Sequence, residues 1–399
     1  MAVPDNVMIL GAGVYQLPLI RKVKEMGFRA VVVSINGDYP GIPEADRFLP
    51  IDTTDVEAVL AAARDHRIRA VVTTGTDVCI PALGAVNDAL GLCGVSRRAA
   101  VICSNKAKMK DALAKNHLNT AEYAHFETCE NGLQFAARIG FPVIVKAIDS
   151  SGSRGIMKAN TSSEFAVAWK AAAASTRSKT ILVERFLSGT EFGVQAFVRG
   201  GDVVGLFPHR DTVTQPPIST PIGHAMPLSL GDEATRDVET LVAGALSAIG
   251  IRDAVCNIDL MMVQGRPWLL EVGARMGATC LAENVGTYAG FDTYEYVVAL
   301  ALGEKPSLPS PSAMPRQPNA SLLLRGDTDG IVRDVNVPDA VRQHPDLVSL
   351  RIDVVPGNRV RRFQVGPDRI GHIVVKGRDS RESESTCESM AKQISFEIE

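Results

Sequence analysis

The segment AVCNIDLMMVQGRPWLLEVGARMGA, residues 254–278, places charged residues inside two apolar stretches. The polar residues at 264–266 between these stretches indicate the turn of a β-hairpin. With the hairpin centred on Gly265, Asp259 lies opposite Glu271. Directly opposed side chains have Cβ atoms about 4.5–5.5 Å apart, and like charges in this arrangement are destabilising. The two carboxylates therefore need a partner of opposite charge.

Two interpretations account for this pair of acids. A shared Mg²⁺ would suit them, because this ion takes oxygen ligands and is often completed by substrate phosphates. In the alternative, one carboxylate forms a salt bridge with Arg275 and the other points to solvent. Both interpretations stay open on this stretch alone.

Length, charge and cysteine usage limit the class of protein. A chain of 399 residues predicts two or three domains. The formal net charge of −3 offers no basic surface for nucleic acid and no polybasic patch for a membrane. We find no signal peptide and no run near the roughly 18 apolar residues of a spanning helix. The seven cysteines lack CxxC spacing, which favours reduced thiols in a cytoplasmic protein.

Strand and helix patterns alternate over residues 1–103 and predict a parallel, doubly wound sheet. A dinucleotide site at the turn Gly11–Gly13 has little support, because Gln16 stands where the third glycine of the fingerprint belongs. Thr76 and Asp77 follow another strand at the ligand-binding edge of such a sheet. We expect substrate contacts there or, for Asp77, a helix N-cap.

A lysine leaves a β-branched strand beside a loop rich in glycine and serine. Lys146 lies at the end of FPVIVKA (141–147), and the loop SSGSRG follows at 150–155. Backbone N–H groups of such loops wrap phosphate oxygens, and the ammonium neutralises them. A surface hairpin with a snorkelling lysine is the alternative. The loop lacks the GK[ST] sequence of a P-loop, which excludes the P-loop NTPases.

Further polar residues precede the hairpin. Glu184 and Glu191 flank a turn at Gly189. The segment 211–227 is rich in Thr and Pro without a clear period, so we expect a long functional loop that carries His224. After the hairpin, a Pro- and Ser-rich linker leads to a small α+β unit.

Together these segments resemble the ATP-grasp superfamily of carboxylate–amine ligases, and in motif style most resemble its dipeptide-forming L-amino-acid ligases. The resemblance implies an α/β protein of three parts. These are an N-terminal doubly wound parallel sheet over residues 1–103, a two-part α+β ATP-clamping domain over 104–310, and a small C-terminal α+β domain over 319–399. The middle domain would divide into a lid near 123–183 and a metal-bearing core near 184–304.

The resemblance also implies roles for individual residues. Lys106 and Lys146 would contact the nucleotide phosphates, Asp259 and Glu271 would bind magnesium, and Arg275 would steady the acyl phosphate. The other implied ATP-binding residues are Ser151, Gly152, Ser153 and Gly155 in a flap, Glu184, Arg185 and Phe186 in the adenine-binding hinge, and Glu191 at the ribose.

The metal site departs from the family pattern. The family usually has E-x-N-P-R, whereas this chain has EVGAR at 271–275. Asn257, opposite Gly273, is our hypothesis for the missing amide ligand. The E-V-x-A-R form resembles the amino-acid ligase branch, which also carries a His before a Pro ahead of the metal helix. His224 fits that position as a second catalytic residue beside Arg275; the alternative is a loop histidine without a role.

The implied reaction is ATP-dependent. A carboxylate, expected to be that of an amino acid, becomes an acyl phosphate and is attacked by an amine, with ADP and phosphate as products. ATP is then a co-substrate and Mg²⁺, or Mn²⁺ in its place, the metal. The expected partners are small molecules and a second copy of the chain. The alternatives are a ligase of the purine-biosynthesis or bicarbonate-activating type, an NAD(P)-dependent dehydrogenase, and an ATP-gated binding module.

Overall fold

The computed structural model describes residues 5–150, 152, 154–214 and 220–399. Its N-terminal elements are β1 (Asn6–Leu10), α1 (Leu17–Glu25), β2 (Arg29–Ser34), β3 (Arg47–Pro50), α2 (Val56–Asp65), β4 (Ile68–Val72), α3 (Ile80–Leu90) and α4 (Arg97–Cys103). The strands form a parallel sheet in the order β3-β2-β1-β4. Met8 and Leu10 enter one hydrophobic core, and Val7 and Ile9 enter another on the opposite face. This confirms the predicted parallel sheet with both faces covered.

A smaller antiparallel sheet follows. Its segment comprises α5 (Lys106–Lys115), β5 (Tyr123–Phe126), α6 (Cys129–Ile139), β6 (Val143–Ala147), β7 (Ile156–Ala159), α7 (Ser162–Ser175) and β8 (Ile181–Arg185). The strand order is β5-β8-β6-β7. Phe135 and Phe165, from α6 and α7, pack on Val145 and Val183 of the sheet. Residue 151 and residue 153 lie outside the described residues.

The remaining strands build a large antiparallel sheet with a small second sheet beside it. The elements are β9 (Thr190–Arg199), β10 (Asp202–Val213), β11 (Pro221–Met226), α8 (Asp232–Ile249), β12 (Ala254–Val263), β13 (Arg266–Gly273), α9 (Leu281–Ala289), α10 (Thr293–Ala301), β14 (Asn319–Arg325), β15 (Gly330–Asn336), α11 (Asp339–Arg342), β16 (Leu347–Ile352), β17 (Arg359–Val360), β18 (Arg369–Lys376), α12 (Ser380–Ala391) and β19 (Ser395–Ile398). The large sheet has the order β13-β12-β9-β10-β11-β14-β18-β16, and the small one the order β17-β15-β19. None of the helices in the described part of the chain is long and apolar enough to cross a membrane.

The large sheet passes from the expected middle domain into the expected C-terminal domain. β11 and β14 are hydrogen-bonded neighbours, with Gly223 opposite Leu322 and Met226 opposite Asn319. The C-terminal segment therefore extends the sheet that carries the hairpin. The domain boundaries proposed from the sequence stay predictions.

The prediction of a long loop over residues 211–227 was wrong for its described part. Residues up to Val213 continue β10, and Pro221–Met226 form β11, which pairs with β10 and β14. From Ile222 onward every residue of β11 is buried. A strand covered on both faces shows no alternation of polar and apolar residues. The two-residue period that would predict a strand is therefore missing from this part of the sequence. His224 thus lies on a central strand.

Candidate active site

A cavity of about 640 Å³ opens where the three parts of the chain meet. This volume lies within the range of about 300–1,000 Å³ found for small-molecule sites. The parallel sheet contributes Gly75–Val78, the small sheet contributes Lys146 and Glu184, and the hairpin contributes Asp259 and Glu271. The wall on the C-terminal side is the turn 365–367. Most residues that the sequence singled out therefore converge on one cavity.

The hairpin strands β12 and β13 have the predicted pairing at the charged residues. Asp259 lies opposite Glu271, and Asn257 lies opposite Gly273. Near the turn the register differs, because Leu260 pairs with Leu269. Leu270 is therefore an extra residue, a β-bulge of the kind that re-aims side chains next to active sites.

Asp259 is partly buried and lies near other acids. Burial raises the pKa of Asp259 to about 8, and the charges of Glu271, Asp211 and Glu191 act in the same direction. Arg275 opposes this effect only in part. Carboxylates that crowd so closely on a rigid hairpin fit a divalent cation, whose charge would ionise Asp259.

Asn257 reaches Asp259 with its amide nitrogen. Its Nδ2 donates to Asp259 Oδ1 at 3.0 Å, and its Oδ1 accepts from Gln195 Nε2 at 2.6 Å. The oxygen that would bind a metal is thus occupied by Gln195. In this arrangement Asn257 orients Asp259, and its role as a metal ligand stays a prediction.

Lys106 and Lys146 hold different partners, and of the two only Lys146 is among the residues that line the cavity. Lys106 Nζ donates to Glu271 Oε1 at 2.8 Å and to the Ser150 carbonyl at 2.7 Å. Lys146 forms an ion pair with Glu184. The two cations that the sequence assigned to phosphate are therefore paired with two different carboxylates of the cavity wall, Glu271 and Glu184.

Glu184 is held by a second lysine that sequence reasoning missed. Lys110 Nζ lies 2.7 Å from Glu184 Oε2 and is buried. Burial alone would raise the pKa of Glu184, but Lys110 and Lys146 outweigh it and hold the value at about 2. The sequence did offer a clue to Lys110: it lies four residues after Lys106, so the two side chains share one face of α5. Because lysines engage both oxygens of this carboxylate, the assigned role of Glu184 in reading the adenine edge stays a prediction.

Several of the remaining hinge and flap residues line the same cavity. Phe186 and Glu191 line the cavity, and Lys158 Nζ lies 4.0 Å above the Phe186 ring. Arg185 forms an ion pair with Glu122 at 2.9 Å. The flap residues Gly152 and Gly155 both have positive φ, and Ser151 and Ser153 lie outside the described residues.

Arg275 is fixed by the parallel sheet. Thr74 and Met276 form a parallel bridge, which brings the end of β4 against the loop after β13. Arg275 Nη2 then donates to Asp77 Oδ2 at 2.7 Å. Asp77 is therefore not the N-cap of α3, a position that Cys79 occupies. The alternative interpretation of the hairpin, a salt bridge from Arg275 to one of its acids, is replaced by this pair.

His224 belongs to a buried polar cluster. Its Nδ1 lies 2.6 Å from Asp211 Oδ1, and His209 Nδ1 lies 2.7 Å from the same oxygen. His209 Nε2 lies 3.1 Å from Gln195 Nε2. Sequence reasoning missed His209 and Gln195. The sequence did offer a clue to His209: it lies two residues before Asp211, and residues two apart on a strand point to the same face.

Comparison with known proteins identifies two family domains in the chain. Residues 139–283 match the family described as ATP-grasp domain, and residues 323–399 match L-amino acid ligase C-terminal domain 2. Formate-dependent phosphoribosylglycinamide formyltransferase of Burkholderia pseudomallei (strain 1106a) is 27% identical over 327 residues, which are 77% of this chain and 78% of that protein.

Two solved structures have the same fold. Phosphoribosylglycinamide synthetase from Anaerococcus prevotii has a TM-score of 0.84 at 26% identity, covering 99% of this chain and 100% of that one. L-amino acid ligase from Bacillus licheniformis has a TM-score of 0.82 at 19% identity, with 100% of both chains covered. The chain therefore has the fold of the ATP-grasp ligases and carries an ATP-grasp domain followed by an L-amino acid ligase C-terminal domain.

Proposed function

We propose that this ligase joins the carboxylate of an amino acid to an amine through an acyl phosphate, with release of ADP and phosphate. The observation that carries the proposal is the convergence of Asp259, Glu271 and Arg275 on one cavity that also holds Lys146. The match of residues 323–399 to an L-amino acid ligase domain favours an amino acid as the acid.

Charge placement explains how the residues act on ATP. Transfer of the γ-phosphoryl group to a carboxylate concentrates negative charge on the phosphate oxygens. Lys146, oriented by Glu184, would contact these oxygens from the small sheet, and Lys106 from the base of the hairpin. Asp259 and Glu271 would hold Mg²⁺, which neutralises charge on the β- and γ-phosphates when bound. The lid near 123–183 would exclude water from the acyl phosphate.

The amine then attacks the acyl carbon, and an oxyanion develops. Arg275 is the cation in position for it, because Asp77 fixes one side of the guanidinium. Its Nε is buried and has no hydrogen-bond partner among the described residues. A preorganised donor of this kind stabilises transition-state charge more than a mobile one does.

A second candidate is suggested by the relatives at 26% and 27% identity, which are named for phosphoribosylglycinamide. Under this alternative, formate or bicarbonate replaces the amino acid. Phosphate release from ATP should be measured against a matrix of amino acids, formate and bicarbonate, with mass detection of products. An amide-linked amino-acid product supports our proposal, and turnover with formate or bicarbonate alone contradicts it.

The expected homodimer and the expected cytoplasmic location are further parts of the proposal. Light scattering on the purified protein tests the first, and fractionation of the source cells tests the second.

A further inference from the structure

One buried histidine that lines the cavity has a ring nitrogen without a hydrogen-bond partner among the described residues. His224 is 4% exposed and lines the cavity wall. Its Nε2 has no hydrogen-bond partner within the part of the chain that the structure describes. A buried polar atom without a partner costs about 1–3 kcal/mol, and a polar group of the substrate that bonded to it would remove this cost.

The hydrogen bonds around the neighbouring His209 fix the position of its proton. Gly277 N donates to Gln195 Oε1 at 2.9 Å, which identifies the oxygen of this amide. Gln195 Nε2 must then be the donor toward His209 Nε2 at 3.1 Å. Because His209 accepts at Nε2, a neutral ring carries its proton on Nδ1 and donates it to Asp211.

The same carboxylate fixes the proton of His224. An ionised carboxylate can only accept, so His224 Nδ1 donates to Asp211 Oδ1. Burial would raise the pKa of Asp211, but His209 and His224 outweigh this effect and keep it well below its usual range. Burial also lowers the pKa of His224, and Asp211 offsets this only in part. His224 is thus neutral at neutral pH, with a lone pair on Nε2.

These protons also argue against a metal ion within the cluster. The ligand atoms of His209, Asp211 and His224 lie within 4.8 Å of one another, as in a metal site. A metal needs a lone pair on each nitrogen, whereas both nitrogens of His209 are used by Gln195 and Asp211. The cluster instead orients His224.

We propose that His224 is the general base that prepares the amine for attack, and that Asp211 is its positioning residue. This inference rests on the proposed function, because it requires an amine that enters as an ammonium ion. A neutral imidazole can donate to an oxyanion only from a protonated nitrogen, and Nε2 is the bare one. Oxyanion stabilisation therefore falls to Arg275, and the role that remains for the bare nitrogen of His224 is that of a base.

The step balances in protons and electrons. His224 Nε2 removes one proton from the ammonium group, and the freed lone pair forms the bond to the acyl carbon. The tetrahedral intermediate then breaks its bond to the phosphate oxygen. The second proton leaves the nitrogen with the departing phosphate, which becomes hydrogen phosphate. The amide is left neutral, and His224 is left as the imidazolium that solvent later neutralises.

The base and the metal site share one hydrogen-bonded chain. From Asp211 it runs through His209 and Gln195 to Asn257, whose Nδ2 donates to Asp259. This chain fixes His224 relative to the site of phosphoryl transfer. The chain thereby restrains the base and Asp259 relative to each other before substrate binds.

The test compares two nucleophiles. Hydroxylamine is unprotonated at neutral pH, needs no base, and converts an acyl phosphate to a hydroxamate. His224→Gln should lower the rate of amide formation with an amino acid by about 100-fold or more. The rate of hydroxamate formation from the same acid should stay at the wild-type value. A parallel fall with both nucleophiles, or no fall with either, would overturn the proposal.

Two further variants protect the test against simple misfolding. Asp211→Asn keeps the shape of the cluster but can supply an N–H to His224 Nδ1, which moves the ring proton to Nε2. It should reproduce the selective loss with amines. His372 is a matched control, because it is also buried with one ring nitrogen unpartnered among the described atoms. His372→Gln should leave the ratio of the two rates unchanged.

The same assay separates this inference from the proposed function. A wild-type protein that forms neither amide nor hydroxamate from any acid would contradict the ligase proposal, and the inference with it. A wild-type protein that forms both, while His224→Gln forms both at an equal fraction of the normal rate, would contradict the inference alone.

Discussion

Asp259 faces Glu271 although the turn of their hairpin sets a different register. At the turn, Val263 pairs with Arg266, and Gln264 and Gly265 both have positive φ. The bulge at Leu270 then shifts the pairing by one residue. Leu269 packs in the core, and Glu271, two residues later, lines the cavity. In a regular strand both would share a face.

The carboxylates of the hairpin should differ from Asn257 in their effect on metal dependence. Asp259→Asn and Glu271→Gln each remove a proposed ligand and should abolish turnover at any practical Mg²⁺ concentration. Asn257→Ala removes the amide that orients Asp259, so the half-saturating Mg²⁺ concentration should rise about 10–100-fold. Turnover titrated with Mg²⁺ measures all three. An unchanged titration for Asn257→Ala would remove Asn257 from the site in either role.

Arg275 should depend on Asp77 for its position. Asp77→Asn keeps the size of the side chain and removes the charge that holds the guanidinium. We expect kcat to fall by up to about 100-fold through misplacement of Arg275, with little change in the KM for ATP. Asp77→Glu, which keeps the charge, should recover part of kcat. Equal kcat values for the Asn variant and the wild type would show that Asp77 does not position Arg275.

The ion pairs of Glu184 should make the free energy of unfolding fall as the solution is acidified. Its pKa is about 2 in the folded protein and 4.5 ordinarily, a difference that corresponds to about 3 kcal/mol. A lowered acid pKa stabilises the fold fully above pH 4.5, and this contribution is lost as the pH falls toward 2. Glu184→Gln should therefore lower the free energy of unfolding at neutral pH by about 3–5 kcal/mol.

The pH profile of this variant gives the sharper measurement. Between pH 4.5 and 2 its unfolding free energy should fall less steeply than that of the wild type. Denaturant titrations across this window measure the slope, and the exposed Glu239 supplies the control variant Glu239→Gln. Parallel slopes for Glu184→Gln and the wild type would contradict the assigned ion pairs.

Two flap glycines offer a matched pair. Gly152 and Gly155 have φ of +64° and +66°, so an alanine at either costs about 1–2 kcal/mol in the left-handed conformation. A Cβ on Gly155 would also lie 2.5 Å from Ser175 Cβ, whereas one on Gly152 meets no described atom within 4 Å. Gly155→Ala should thus lower the thermal midpoint more than Gly152→Ala does. Equal shifts would contradict the packing of the flap.

Much of the fold could be predicted from local pattern. Apolar strands that alternate with helices predict the parallel sheet, and two acids inside apolar strands predict the charged hairpin. The predicted pairing of Asp259 with Glu271 was confirmed, although its assumed turn centre at Gly265 was not. The turn consists of Gln264 and Gly265, so the register near it differs by one residue from a hairpin centred on Gly265. The bulge at Leu270 shifts the register by one residue in the opposite direction, which restores the predicted pair. A bulge has no signature in these leucines, so only the structure reveals it.

The polar contacts of the site could not be predicted in the same way. Lys110 on α5 forms an ion pair with Glu184 on β8, which lies 74 positions later in the chain. A contact between residues so far apart in sequence cannot be read from local spacing. Gln195 is fully buried on a strand with covered faces, where apolar residues dominate and one polar residue has no visible partner. His224 was assigned to a loop because β11 lacks an alternating pattern.

The most direct test of the acyl phosphate follows an isotope. The amino-acid substrate is prepared with ¹⁸O in both carboxylate oxygens, and the phosphate released during ligation is analysed by mass. If the carboxylate attacks the γ-phosphorus, one ¹⁸O atom passes into each phosphate and the nucleotide product is unlabelled ADP. Phosphate without ¹⁸O, or label found in AMP, would contradict the account.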